Sequence, residues 1–154
     1  MEIYTIGFTQ RSATEFFETL KRAVIKRVID VRLTNTSQLA GFAKRDDLAY
    51  FLKELCGAQY RHEPLLSPTK ELRDAYRKKL ISWDEYENAF LALMKERNIE
   101  ELLDRRLFEV RTVLLCSELE PHHCHRRLVA EYLRGKWDDV SVVHLSSPQQ
   151  SQSQ

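Results

Sequence analysis

Residues 112–145 read TVLLCSELEPHHCHRRLVAEYLRGKWDDVSVVHL, and the order of patterns in them sets the fold class. Thr112-Val-Leu-Leu-Cys116 is short, apolar and β-branched at its start, as a strand covered on both faces must be. Pro121 ends the loop that follows. Cys124 to Arg134 reads as a helix with Gly135 as its stop, and Val140 to Leu145 reads as a last strand. Strand, helix, strand within one unit implies a parallel pair joined by a crossover.

The same alternation runs back to the N-terminus. Ile3-Tyr-Thr-Ile6 is a β-rich run halted by Gly7, and Ser12 with Glu15 resembles a capping box ahead of a helix whose apolar face is Phe16, Leu20, Ala23 and Val24. Val28-Ile-Asp-Val31 is a second strand with one charge inside it. Asp46 to Leu55 reads as a helix closed by Gly57, and Ala58 to His62 as a weaker strand stopped by Pro64. Ser67-Pro68 has the form of a helix start, Ser82 and Glu85 form a second capping box, and Glu100 to Leu107 has room for a further turn or two. The pattern predicts a three-layer α/β/α sandwich with a mostly parallel sheet of about five strands. Residues 68–107 form a helical insertion in a single domain spanning 1–145. The Ser/Gln-rich end, 146–154, has nothing to bury and is expected to be disordered.

Composition narrows the function classes. A chain of 154 residues with 43% apolar and 31% charged residues is globular, and long enough to bury a core without disulfide or metal staples. Lys and Arg number 24 against 23 Asp and Glu, so no overall basic coat exists to hold nucleic acid or membrane. A local basic site remains open. No apolar run approaches the ~20 residues of a membrane span. Strand-like residues begin at once, so no leader is expected, and three cysteines argue for a reducing cytoplasm over a disulfide framework. Neither common Gly-rich phosphate loop is present, so an ordinary nucleotide-triphosphate or dinucleotide motif is absent and any cofactor stays unknown at this point.

In an open parallel sheet, ligands bind outside the carboxyl ends of the strands. The residues there are few: Arg11 after the first strand, Asp30 and Arg32 after the second, and Cys116 and Glu118 after the fourth, with His125 and Arg126 opening the next helix. Asp30, inside an apolar strand, needs a partner, and Arg32 two residues on lies within reach. That pair serves equally as a structural brace or as part of a site. The run Cys116 to Arg126 holds two cysteines, three histidines and an arginine in eleven residues. It admits three readings: a metal site at Cys116, Cys124 and His125, although the spacing matches no common zinc template; a reactive thiol at Cys124, favoured by a helix start with His125 and Arg126 beside it; or buried inert cysteines, the reading that suits Cys56. Arg126 at a helix N-terminus suits an anion, with Arg11 and Arg32 converging on it. Trp83 and Trp137 read as core or interface anchors, His144 as structural, and Arg77, Lys78 and Lys79 as a solvated face able to touch a polyanion.

The chain also resembles the prokaryotic family known as domain of unknown function 488. The resemblance rests on Tyr4-Thr-Ile-Gly7 followed by Arg11-Ser12, on Asp30-Val-Arg32, Gly41-Phe42, Tyr60 and Pro64-Leu-Leu, and on Leu115-Cys-Ser-Glu118, Pro121 and Cys124-His-Arg126. The family pattern often carries histidine after the first-strand glycine; Phe8 stands there in this chain, so no acid–base role transfers to that position. The resemblance implies a compact α/β domain in which Asp30, Arg32, Cys116, Glu118, Cys124, His125 and Arg126 belong to one site, and it implies no particular reaction.

These readings converge on an expectation: an enzyme acting on a phosphate-bearing or other anionic substrate, a nucleotide or nucleic acid included, in a strand-end crevice. Arg11, Arg32, His125 and Arg126 would bind the anion, Asp30 or Glu118 would be the acid or base, and Cys124 the nucleophile. The alternatives are a non-catalytic binding module for protein or nucleic acid and a Cys/His metal protein. The enzyme reading requires Asp30, Arg32, Glu118 and Arg126 to face a common hollow.

Overall fold

The computed structural model describes residues 1–35, 41–117 and 122–146. Five strands, β1 (Glu2–Gly7), β2 (Arg27–Asp30), β3 (Gln59–His62), β4 (Thr112–Cys116) and β5 (Ser141–His144), form one sheet in the order β3-β2-β4-β1-β5. Every pairing is parallel. The interior strands are buried nearly throughout, whereas edge strands β3 and β5 are half-exposed. This is why residues 112–116 are continuously apolar and residues 59–62 are not.

Side chains alternate across the sheet and divide the core in two. Tyr4, Ile6, Val28, Val113 and Leu115 pack with Phe16, Phe17 and Leu20 of α1 (Ala13–Arg22) and with Leu48 of α2 (Arg45–Phe51). On the other face Ile3, Ile29, Leu114 and Cys116 pack with Phe90 and Met94 of α4 (Trp83–Glu96) and with Leu128, Val129 and Leu133 of α6 (His125–Lys136). Helices α3 (Lys70–Arg77) and α5 (Ile99–Leu102) flank α4 in the long connection from β3 to β4. The three-layer α/β/α arrangement and parallel sheet match the expectation.

Several boundaries differ for local reasons. The cap of α3 is Thr69, whose hydroxyl accepts from Leu72 N–H at 3.1 Å; Ser67 instead donates to the Val31 and Arg32 carbonyls. The helix opened by Arg45 ends in a wide π-type turn at Leu52–Cys56, and Gly57 then supplies the left-handed conformation, φ 61°, that releases the chain into β3. Helix α6 runs through Gly135 to Lys136, so that glycine is not a stop, and Cys124 occupies the cap position with extended backbone instead of the first turn. Residues 147–154 lie outside the described residues.

Sheet order decides what meets at the strand ends. With β4 between β2 and β1, Cys116 aligns with Gly7, and Leu115 with Asp30. Beyond the strands, Val31 N–H donates to Leu115 O at 3.0 Å and Thr9 N–H to Ser117 O at 2.9 Å. Segments about ninety residues apart are thereby held edge to edge.

Candidate active site

Two clusters form at this edge, one on each face of the sheet. On the α1/α2 side, Asp30 is fully buried. Its carboxylate accepts from Arg32 N–H at 3.1 Å, Arg32 Nε at 2.9 Å, Arg32 Nη2 at 2.8 Å and Tyr60 Oη–H at 2.6 Å. Arg32 also donates to Ala43 O at 2.7 Å, its guanidinium lies 5.0 Å from the Phe8 ring centre, and Asn35 donates to the Tyr60 oxygen. Burial works against the Arg32 charge, but the bonds to Asp30 outweigh it and hold its pKa above the ordinary value. Tyr60 is pushed up by burial and by the Asp30 charge. This cluster braces strand ends against α2's entry.

On the α4/α6 side, the alternation that points Leu114 into the core also points Cys116 toward the start of α6. The Cys124 thiol donates to Cys116 Sγ at 2.6 Å, and His125 Nδ1 lies 3.6 Å from the same sulfur. His125 Nε2 sits 2.7 Å from Val31 O, which fixes the ring's orientation. Burial, the strongest influence on Cys116, pushes its pKa up. The hydrogen bond from Cys124, the charge and hydrogen bond of His125 and the Arg126 charge together overcome it and hold the thiol well below its ordinary value. Cys124 goes the other way, raised by burial and by its bond to Cys116. His125 is raised: burial opposes its charge, but Cys116 and the Val31 carbonyl stabilise it. The directions agree with one another: they favour the thiolate at Cys116, the neutral thiol at Cys124 and the imidazolium at His125. Tyr86 packs close enough that, besides burial, the charge of Cys116 raises its pKa.

Cys116, Cys124 and His125 line a cavity of about 400 Å³. Its aromatic wall is Tyr76, Trp83, Tyr86 and His123, with Trp83 and His123 ring centres 4.9 Å apart. Its basic lining is Arg32, Arg73, Arg77 and Lys79, and Arg77 and Lys79 are exposed to solvent.

The residues expected from sequence are thus distributed. Arg32, Cys116, Cys124 and His125 meet at the cavity. Asp30 lies on the opposite face beneath Arg32, with Val28 on its own strand. Arg126 is wholly buried, its Nε donating to Thr5 Oγ1 at 3.3 Å, and that hydroxyl lies 2.5 Å from His144 Nδ1. Arg11 is buried too, donating to Gly7 O at 2.8 Å and Leu145 O at 3.2 Å. Neither lines the cavity, although the Arg126 charge lowers the Cys116 pKa. Glu118 and Pro121 lie outside the described residues. Of the aromatic wall the sequence singles out Trp83, as a core or interface anchor; Tyr76 and Tyr86 fall at ordinary helix positions, and α3 and α4 packing together brings them to the cavity.

The sulfur and imidazole ligand atoms of Cys116, Cys124 and His125 lie within 4.8 Å of one another, the spacing of a three-ligand metal site. A tetrahedral zinc with Zn–S near 2.3 Å holds two thiolates about 3.7 Å apart. These sulfurs are at 2.6 Å and would have to separate by about an ångström to share one.

No curated protein matches the chain, and no solved structure does. The family model for the domain of unknown function DUF488 matches residues 12–133, which takes in the Asp30–Arg32 brace, the aromatic wall and the Cys–His–Arg turn. The chain belongs to the DUF488 family.

Proposed function

We propose that this protein is an enzyme acting on a small anionic molecule, with the Cys116 thiolate as nucleophile and His125 as its proton donor. The supporting observation is the placement of the paired Cys116 and His125 at a 400 Å³ cavity with a basic lining. A cavity of that size suits a ligand of metabolite dimensions. The nucleophile in this reading is Cys116, not Cys124, because Cys124 donates a hydrogen bond to Cys116 and keeps its own proton. Arg73, Arg77 and Lys79 draw the anion in, and the aromatic wall of Tyr76, Trp83, Tyr86 and His123 supplies apolar surface for the rest of the molecule. The Asp30 carboxylate, spent on Arg32 and Tyr60, has no acid–base task here.

The test is paired alkylation. Iodoacetate and iodoacetamide differ by one negative charge and share one reaction. Cys116 is expected to favour iodoacetate, relative to Cys56, and Arg73→Glu with Arg77→Glu should lower that preference by about tenfold. An unchanged ratio in the double variant would remove the anion from this reading. The metal alternative has its own measurement. Protein purified without chelator is expected to carry no stoichiometric zinc or iron by elemental analysis; one metal per chain, lost on substituting Cys124, would replace the nucleophile with a metal centre.

A further inference from the structure

We propose that Cys116 and Cys124 form a thiol–disulfide exchange pair that reduces a small anionic disulfide entering the cavity. The inference rests on the reading of Cys116 as nucleophile and names the substrate class for that same site. It stands on the contact between the two sulfurs, on their shared place in the cavity lining, and on the imidazole beside them.

A lone nucleophilic cysteine depends on water or a second substrate to release what it captures. Here the group in contact with Cys116 Sγ is another thiol. Any group held on Cys116 through a sulfur–sulfur bond therefore forms within reach of Cys124, and a disulfide is the adduct that a neighbouring thiol cleaves. The two thiols are also differentiated. Cys124 is held neutral by burial and by its bond to Cys116, so Cys116 attacks first. Once Cys116 carries a neutral adduct, the thiolate that kept Cys124 protonated is gone, and the Arg126 charge then favours the Cys124 thiolate.

Cys116 thiolate attacks RSSR, forming Cys116–S–SR and breaking the RS–SR bond, and the RS⁻ released takes the His125 proton to leave as RSH. Cys124 passes its proton to the now neutral His125, whose ligating nitrogen lies within 4.8 Å of the Cys124 sulfur. The Cys124 thiolate attacks Cys116 Sγ, expelling a second RS⁻, which leaves with that same proton. The protein loses two electrons and becomes the Cys116–Cys124 disulfide; one RSSR becomes two RSH. A dithiol reductant returns the pair to its starting state by the same exchange in reverse. The basic lining then selects disulfides bearing carboxylates over those bearing amines.

The test uses the full chain with Cys56→Ser, which leaves only the pair, and two probes: glutathione disulfide, which is anionic, and cystamine, which is cationic. The parent is expected to release two thiols per chain from glutathione disulfide and to show the Cys116–Cys124 disulfide in a peptide map, at least about tenfold faster than with cystamine. Cys124→Ser should stop at a persistent glutathione adduct on Cys116 after releasing one thiol, and Cys116→Ser should form neither product at a comparable rate. If the parent also stops at the mixed disulfide, or yields none, the exchange pair is refuted. Rapid iodoacetamide modification of Cys116 in that same protein would leave the nucleophile reading standing; modification no faster than that of Cys56 in the unsubstituted chain would end both. Should Cys116→Ser not fold by circular dichroism, the parent map and the Cys124→Ser trap still decide the outcome.

Discussion

An Asp30→Ala variant is expected to lose about 3–5 kcal/mol of stability in urea unfolding, a large part of the roughly 5–15 kcal/mol available to a domain. The carboxylate is fully buried and accepts four hydrogen bonds, three from Arg32 and one from Tyr60. Removing it strands the Arg32 guanidinium, itself 4% exposed, with Ala43 O as its remaining acceptor among the described residues. The cost is therefore that of an uncompensated buried charge and not of a weak surface pair. Adding Arg32→Met to Asp30→Ala should recover a substantial share, since an apolar replacement of similar reach needs no partner. A loss below about 1 kcal/mol in the single variant, or no recovery in the double, would contradict the brace.

The second large effect is kinetic. The Cys116 pKa is held well below the ordinary thiol value, so iodoacetamide modification of Cys116 should persist as pH is lowered well beneath about 8.5, where a free cysteine loses its thiolate. His125→Asn removes the imidazolium and should move the inflection upward, slowing modification at pH 7 by about tenfold or more. The linkage has two signs. For Cys116, whose folded pKa is lowered, the stabilising contribution is full above the unfolded thiol value and is lost as pH falls through the folded one. For His125, whose folded pKa is raised, the contribution is full below about 6.5 and is lost as pH rises through the folded value. The ion pair is accordingly populated from the folded Cys116 pKa up to the folded His125 pKa. Identical pH profiles for the parent and His125→Asn would show that the imidazole does not set the thiolate.

The site was only partly readable from the chain. Cys116, Cys124 and His125 were conspicuous because such residues are rarely crowded, and Asp30 with Arg32 because a charge inside Val-Ile-Asp-Val must be partnered. Which thiol reacts was not readable. A helix start favours Cys124, but Cys124 is the cap residue and donates a hydrogen bond to Cys116. Nor was the separation of the two clusters. Asp30 and Arg126 both sit at strand or helix ends, yet the sheet lies between Asp30, packed toward α2, and Arg126, buried against Thr5. The basic and aromatic lining from α3 and α4 looked like solvated surface and core.

The alternation of short apolar runs with capped helical stretches was enough to establish a parallel α/β sandwich, because burial on two faces and the helical period both act within a few residues of chain. The resemblance in Asp30-Val-Arg32 and Cys124-His-Arg126 likewise pointed to the family that residues 12–133 match. Strand order is a different kind of property: it comes from which distant segments pack best. Only with β4 placed between β2 and β1 does Cys116 come to lie beside Val31, His125 and α4. A thiol's ionisation depends on charges a few ångströms away in space, so the chemistry of Cys116 belongs to the folded molecule and is written in no single stretch of its chain.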